Sequence, residues 1–234
     1  MPHPAPRTAL AALALLLAAV PACAPAGQAP AGRSAADRPA PAPAPAPAHP
    51  APDPFLRLYD GYQVDYEPAA TVTELADRSE VVALAQLTEI REGRILGTSR
   101  GDPARAEHLV YVFRVTRQLQ GTLPGALAYV EALKPSFEPA TRFDATAPKG
   151  TEALLYLRRA IPAAAGEPSV PAPQPPPAGA PLMWFTTPQG FLVRLGGRVA
   201  HPLEQAGPGR PLFAHSTPDP ANLYSWLPPR LVPR

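Results

Sequence analysis

Read for apolar and polar positions, the chain turns regular at residue 71. Thr71-Val72-Thr73-Glu74 has capping-box spacing, with the Thr71 hydroxyl placed to accept from the Glu74 amide while the Glu74 carboxylate reaches back, so a short helix over residues 72–78 is expected. Residues 81–90 open as a continuous apolar run and then alternate, as a strand does when it leaves a buried core for a half-exposed face. After a polar loop over 91–107, Leu109, Tyr111, Phe113, Val115 and Leu119 share one face, with Arg114, Thr116 and Gln118 opposite. Gly121 and Pro124-Gly125 end that strand, and 127–133 gives a third in which Glu131 interrupts the apolar face. Residues 134–150 read as a loop.

The short apolar run 153–157, bounded by Gly150 and Arg158-Arg159, reads as a buried strand. The Pro-rich stretch 162–181 is expected as a surface excursion, since lengthening a surface loop adds only a logarithmic entropy term. Residues 182–186, 191–195 and 198–200 then follow as strands joined by turns at 187–190 and at Gly196-Gly197, a meander of two hairpins. Residues 218–227 leave room for at most a short terminal helix. Six or seven short strands with one helix predict a mainly β fold, either a small antiparallel OB-like barrel or a two-layer sandwich.

Upstream of this pattern the chain is of another kind. Arg7, an apolar run over 9–20 and the sequence Val20-Pro21-Ala22-Cys23 follow the order of an export signal, and the run is too short to cross a bilayer as a helix. Residues 1–22 are therefore expected to be removed as a signal peptide. Val20 and Ala22 suit both a general signal-peptidase site and a lipobox, from which Pro21 departs. Cys23 is the only cysteine, so no intramolecular disulfide can form, and a thiol at the cut site suits lipid attachment. The expected location is the extracytoplasmic side of a membrane, anchored through a lipid on Cys23, with plain secretion as the alternative. Residues 23–52 are almost wholly Ala and Pro, a composition that stays extended and builds no core, and at about 3.1 Å per residue could span roughly 90 Å. The expected organisation is thus a signal at 1–22, a disordered tether at 23–52, a β domain at 53–206 and an irregular tail at 207–234.

Charge adds little. The chain carries 21 Lys and Arg against 19 Asp and Glu, and loss of Arg7 with the signal leaves 20 against 19, a net of +1. A nucleic-acid partner would call for a basic face with interleaved aromatics, whereas Arg91, Arg94, Arg100 and Arg105 alternate with Glu89, Glu92, Asp102 and Glu107 and read as a solvated loop.

Ser79-Glu80-Val81-Val82-Ala83-Leu84-Ala85-Gln86-Leu87, then Val110-Tyr111-Val112-Phe113-Arg114-Val115, Leu119-Gln120-Gly121 and the turn Pro188-Gln189-Gly190-Phe191, resemble a strand pattern in a family of uncharacterised exported bacterial proteins. Glu80, Ala85 and Gln120 stand where that pattern has Asp, Gly and Lys. The resemblance covers residues 70–200 and implies an exported small β domain, with no activity, ligand or catalytic residue attached. More distantly the chain is similar to netrin-like, OB-type barrels. Some of these inhibit metalloproteinases through a disulfide-locked N-terminal cysteine, a role that a single cysteine followed by a long tether does not support.

No phosphate loop, cofactor motif or nucleophile elbow can be read. His108, His201 and His215 lack the i, i+3 or i+4 pairing of a metal site, and His3 and His49 fall in the signal and the tether. Ser216 beside His215 points to the opposite face of a strand, and Asp144 and Glu152 have no spacing that asks for an acid pair. Trp184, Phe185 and Phe191 are the candidate binding surface, because alternation puts Trp184 and Phe185 on opposite faces and leaves one outside the core. Three readings follow in order: a tethered cell-envelope module binding an envelope protein or polymer, an accessory structural subunit of an envelope assembly, and an extracellular enzyme.

Overall fold

The first core strand is 16 residues long and, over its first half, has a partner on each edge. This strand, β1 (Val81–Leu96), pairs antiparallel with β2 (Ala106–Gln120) along its length, while its residues 81–86 also pair antiparallel with β4 (Glu152–Arg159). Between them β2 pairs with β3 (Leu127–Leu133), β3 runs parallel to β6 (Leu182–Phe185), and β6 returns to β4. Hydrogen bonds therefore pass in a closed ring through five strands. β5 (Ser169–Val170) adds to β1 beyond the point where β4 leaves it, and β7 (Phe191–Leu195) and β8 (Arg198–Ala200) extend the sheet from β4. The mainly β class is as the pattern predicts, but the eight-stranded sheet is mixed, because β3 and β6 lie parallel.

This computed structural model describes residues 53–97, 105–162, 168–204, 212–215 and 218–233, all within the compact unit His49–Arg234. The expected signal, Cys23 and the Ala/Pro tether lie outside the described residues, as do Arg100, Asp102 and Ser216.

Four register shifts along the β1–β2 ladder bend these long strands around the ring, as bulges do wherever a sheet must curve. Alternation then sorts the side chains. Val81, Ala83, Ala85 and Leu87 point inward with Tyr111, Phe113, Val130, Leu155, Phe185 and Phe191, while Val82, Leu84, Leu154, Tyr156 and Leu192 point outward into a second cluster. One-turn helix α1 (Pro54–Arg57) puts Phe55 and Tyr59 into the interior, where the Tyr59 ring meets Phe143 at 5.7 Å and its hydroxyl meets that of Tyr111 at 3.0 Å. Burial pushes both phenols well above their ordinary pKa, so the pair stays neutral and hydrogen-bonded.

The outer cluster is covered by α2 (Val72–Asp77) and by the last described segment, whose Leu223, Trp226 and Leu227 are buried there. The capping box forms: Thr71 Oγ1 accepts from the Glu74 amide at 3.0 Å, and Glu74 Oε2 accepts from the Ala70 amide at 2.7 Å. At the other end of α2, the Gln120 amide donates to the carbonyls of Ala76 and Ser79 at 2.9 and 2.8 Å. Gly121 follows with φ of +68°, and a Cβ there would lie 2.0 Å from the Glu80 carbonyl oxygen, so only glycine fits that turn.

Three segments read as loops contain regular structure, and in the Pro-rich stretch 162–181 it is the short strand β5, paired to the end of β1. Within 134–150, α3 (Ala140–Thr146) forms on only two buried anchors, Ala140 and Phe143; its N-cap, Pro139, provides no side-chain bond, and the Ala140 amide donates instead to Glu92 Oε1 of β1 at 2.8 Å. That support is non-local and leaves no mark at the helix start. The loop expected over 91–107 is strand at both ends, because the β1–β2 ladder continues to Leu96 and Ala106, with the charges paired along it: Arg91 with Glu89 at 2.7 Å, and Arg105 with Glu107 at 2.9 Å.

Gln189, fully buried, ties the ends of the domain together. Its Oε1 accepts from the Ala69 amide at 2.7 Å, and its Nε2 donates to the carbonyls of Ala69 at 3.2 Å and Leu212 at 2.6 Å. Gly190 packs so closely on Tyr156 that a Cβ would lie 2.8 Å from that carbonyl oxygen, and Phe191 enters the core. The Pro188–Gly190 turn is thus a structural clamp.

Gln189→Ala should lower unfolding free energy in urea by about 2–4 kcal/mol, because the Ala69 and Leu212 backbone groups lose their partners. Gln189→Glu should be at least as damaging, since it turns a carboxylate toward two carbonyls; a wild-type midpoint for Gln189→Glu would refute the clamp. His201, whose ring lies 4.5 Å from that of Trp226, is held by burial at a pKa of about 4 against an ordinary 6.5. The fold favours the neutral ring, so this contribution is complete above pH 6.5 and is lost as pH falls toward 4. Urea titrations should show a loss on the order of 2–3 kcal/mol across that window, flattened in His201→Gln.

Candidate functional site

Glu131, the carboxylate that breaks the apolar pattern of β3, is buried on the outward face of the ring. Its Oε2 accepts a hydrogen bond from Trp184 Nε1 at 3.1 Å, and Arg94 Nε lies 2.9 Å from the same oxygen. Both neighbours are placed by the sheet: Trp184 is paired with Glu131 across the parallel β3–β6 ladder, and Arg94 lies at the last register shift of β1. A bulge re-aims the side chain beside it. Here it depends on Gly93, whose added Cβ would sit 2.8 Å from the His108 carbonyl oxygen, so the strand must present glycine to let β2 approach.

Two guanidiniums attend the Trp184 indole. Arg94 lies 5.8 Å from the ring centroid, and Arg158, the cross-strand neighbour of Trp184 on β4, lies 5.7 Å away. The Arg94 charge is neutralised by Glu131. Arg158 is exposed and has no carboxylate partner among the described residues. His108 completes the cluster, its Nδ1 3.2 Å from the Arg94 carbonyl oxygen, and burial pushes its pKa down while Glu131 opposes that shift.

Beside this cluster opens a cleft of about 360 Å³. One wall is the sheet, with Glu131, Leu133, Arg158, Trp184 and Phe185; the other is the extended segment 62–66, with Leu203 and Pro188 closing the end. The volume is that of a small-ligand site, and the lining mixes apolar surface with a few convergent polar groups. The segment is fastened at both ends, by the Tyr62 amide to the Tyr59 carbonyl at 2.9 Å and by the Gln189 clamp at Ala69, while the Tyr66 hydroxyl donates to Glu204.

The three aromatics expected to form a binding surface are divided by the fold. Phe191 is fully buried in the ring interior and stacks on Phe185 at 5.0 Å; Phe185 also packs on Tyr111 and Phe113, and lends an edge to the cleft. Only Trp184 faces outward. Sequence reasoning missed Glu131, Arg94 and Arg158 as its companions, although an acid within an apolar strand marks the first of them. Asp144 and Glu152 lie apart in separate contacts, Asp144 accepting from the Ile90 amide at 2.9 Å and Glu152 from the Tyr224 hydroxyl at 3.4 Å. His201 packs on Trp226, and the His215 amide donates to Ala70, so neither joins His108. Among the described residues no three His, Cys, Asp or Glu side chains gather around a metal-sized space, and no helix is long and apolar enough to cross a membrane.

Glu131→Leu should leave the Arg94 charge with no partner and destabilise the fold by about 3–5 kcal/mol, while the double variant with Arg94→Met should recover most of that loss. Additive effects of the two substitutions, read from urea midpoints, would show that the pair is not coupled. Comparisons of the chain with protein-family models, curated proteins and solved structures return no match.

Proposed function

We propose that this chain is a tethered cell-envelope binding module whose ligand site is the cleft beside Trp184. The observation that carries the reading is the outward Trp184, an aromatic fixed in orientation by a buried carboxylate and attended by two guanidiniums at the mouth of an open cleft. An indole held this way loses little freedom when a ligand docks, which is the property of binding hot spots. In this reading the signal exports the chain, a lipid on Cys23 anchors it to a membrane, and the Ala/Pro segment lets the domain search the space above the anchor.

Two measurements test this. Protein extracted from native membranes should have a mass corresponding to a chain that starts at Cys23 and carries acyl groups, and Cys23→Ala should abolish that increment; an unmodified soluble chain would overturn the anchor. The purified protein should co-sediment with isolated envelope fractions, and Trp184→Ala, whose thermal midpoint should fall because Glu131 loses its indole donor, should cut the bound fraction at least tenfold at a temperature where circular dichroism shows it folded. Equal sedimentation of the two proteins would place any ligand site elsewhere.

A further inference from the structure

The wall of the cleft opposite Trp184 carries, at residues 63–65, backbone groups without a neighbour among the described residues. Residues 62–67 form neither helix nor turn, and their exposure alternates, with Tyr62, Val64 and Tyr66 half-buried and Gln63, Asp65 and Glu67 exposed. That is the period of a β-strand lying on a surface. Gln63, Val64 and Asp65 nevertheless have no backbone hydrogen-bond partner among the described residues. The segment cannot drift, because its ends are fixed by the bonds at Tyr62 and Ala69. The free backbone groups of residues 63–65 are thus offered along a cleft whose other wall presents one uncompensated cation, Arg158, supported against Trp184.

Taking the cleft as the ligand site, we propose that its occupant is the C-terminal end of an extended peptide. The peptide adds as a strand to residues 63–65 and its terminal carboxylate is received by Arg158. Strand addition supplies main-chain hydrogen bonds, and carboxylate capture fixes the register. A guanidinium is suited to the second task because it can meet a carboxylate through two parallel donors, and its contact with the indole orders it before binding. The charges at the cleft favour a monoanion. Arg94 is spent on Glu131, and Asp65 stands on the strand wall, so a phosphate group or other polyanion would meet one free cation and one uncompensated acid. Val64, Leu133 and Leu203 provide apolar contact for the peptide side chains.

The probes are an N-acetylated tetrapeptide library with free C-termini, the same library with C-terminal amides, and inorganic phosphate, each titrated against the intact mature protein. Library members that bind as acids should bind at least tenfold more weakly as amides, and methylation of one backbone nitrogen should weaken them to a similar degree. Arg158→Gln should bring the acid down to the level of the amide while leaving the affinity for the amide unchanged. Because Arg158 is exposed, the thermal midpoint should not move, and a folded Arg158→Gln protein that still prefers acid over amide would overturn the assignment. Equal binding of acid and amide, binding of phosphate in preference to the acid, or binding of no library member would each overturn it too. If Trp184-dependent co-sedimentation with envelope fractions persists in any of those cases, the binding module stands and only the peptide terminus is wrong; if it is lost as well, both fall.

Discussion

Everything in this domain depends on β1 having both edges occupied. With β2 on one side and β4 on the other over residues 81–86, and β3 and β6 joining those two strands, the ladder closes on itself, and closure assigns every neighbouring side chain to an inside or an outside. The inside is filled by aromatic rings and plugged by α1 and α3. The outside cannot remain bare where Val82, Leu84, Tyr156 and Leu192 emerge, so α2 and the chain after residue 212 must cover it. Gln189 is the point at which those two coverings meet, and a single amide side chain there holds backbone from both.

The outward face of β2, β3 and β6 is covered differently, by Ala180 and Leu182 packing on Val110, Val112 and Tyr129. Beside that apolar cluster a buried acid, two guanidiniums and an indole gather. Burying Glu131 without Arg94 and the indole N–H would be expensive, and all three groups are brought together by non-local pairing: a parallel ladder, a bulge and a cross-strand neighbour. A polar cluster built at that expense beside an open cleft is why the cleft, and not the aromatic core, is the place to look for a ligand.

Much of the fold was legible in the sequence, because strand periodicity and turn chemistry are local. The bounds of β3, β7 and β8 follow from the apolar pattern and the glycine turns, and Thr71 caps α2 as expected, with the Glu74 carboxylate reaching one residue further back, to the Ala70 amide. What escaped was everything whose cause lies far away along the chain. α3 depends on a carboxylate from β1, the charged end of β1 is held as strand by its ladder with β2, and the parallel β3–β6 pairing has no sequence mark. Ser79, Gln120, Gly121 and Gln189 turn out to cap, turn and clamp, structural roles that the sequence alone does not distinguish from chemical ones. Of the site, the outward tryptophan could be read from alternation; its partners could not, since Arg94, Glu131 and Arg158 are 37 and 27 residues apart in sequence (131 − 94 and 158 − 131).

The place where the chain enters the domain has a mechanical meaning. Residue 53 leads directly into α1, whose Phe55 and Tyr59 are seated among the interior rings, and α1 leads in turn into the extended wall of the cleft. A pull applied through the N-terminus is therefore resisted first by the extraction of two aromatic side chains, each worth roughly 1.5–3 kcal/mol of burial, before any tension reaches residues 62–66. The plug acts as a strain relief. It isolates the cleft from motions of whatever lies upstream, and only a load large enough to draw it would slacken the wall and release what the cleft holds.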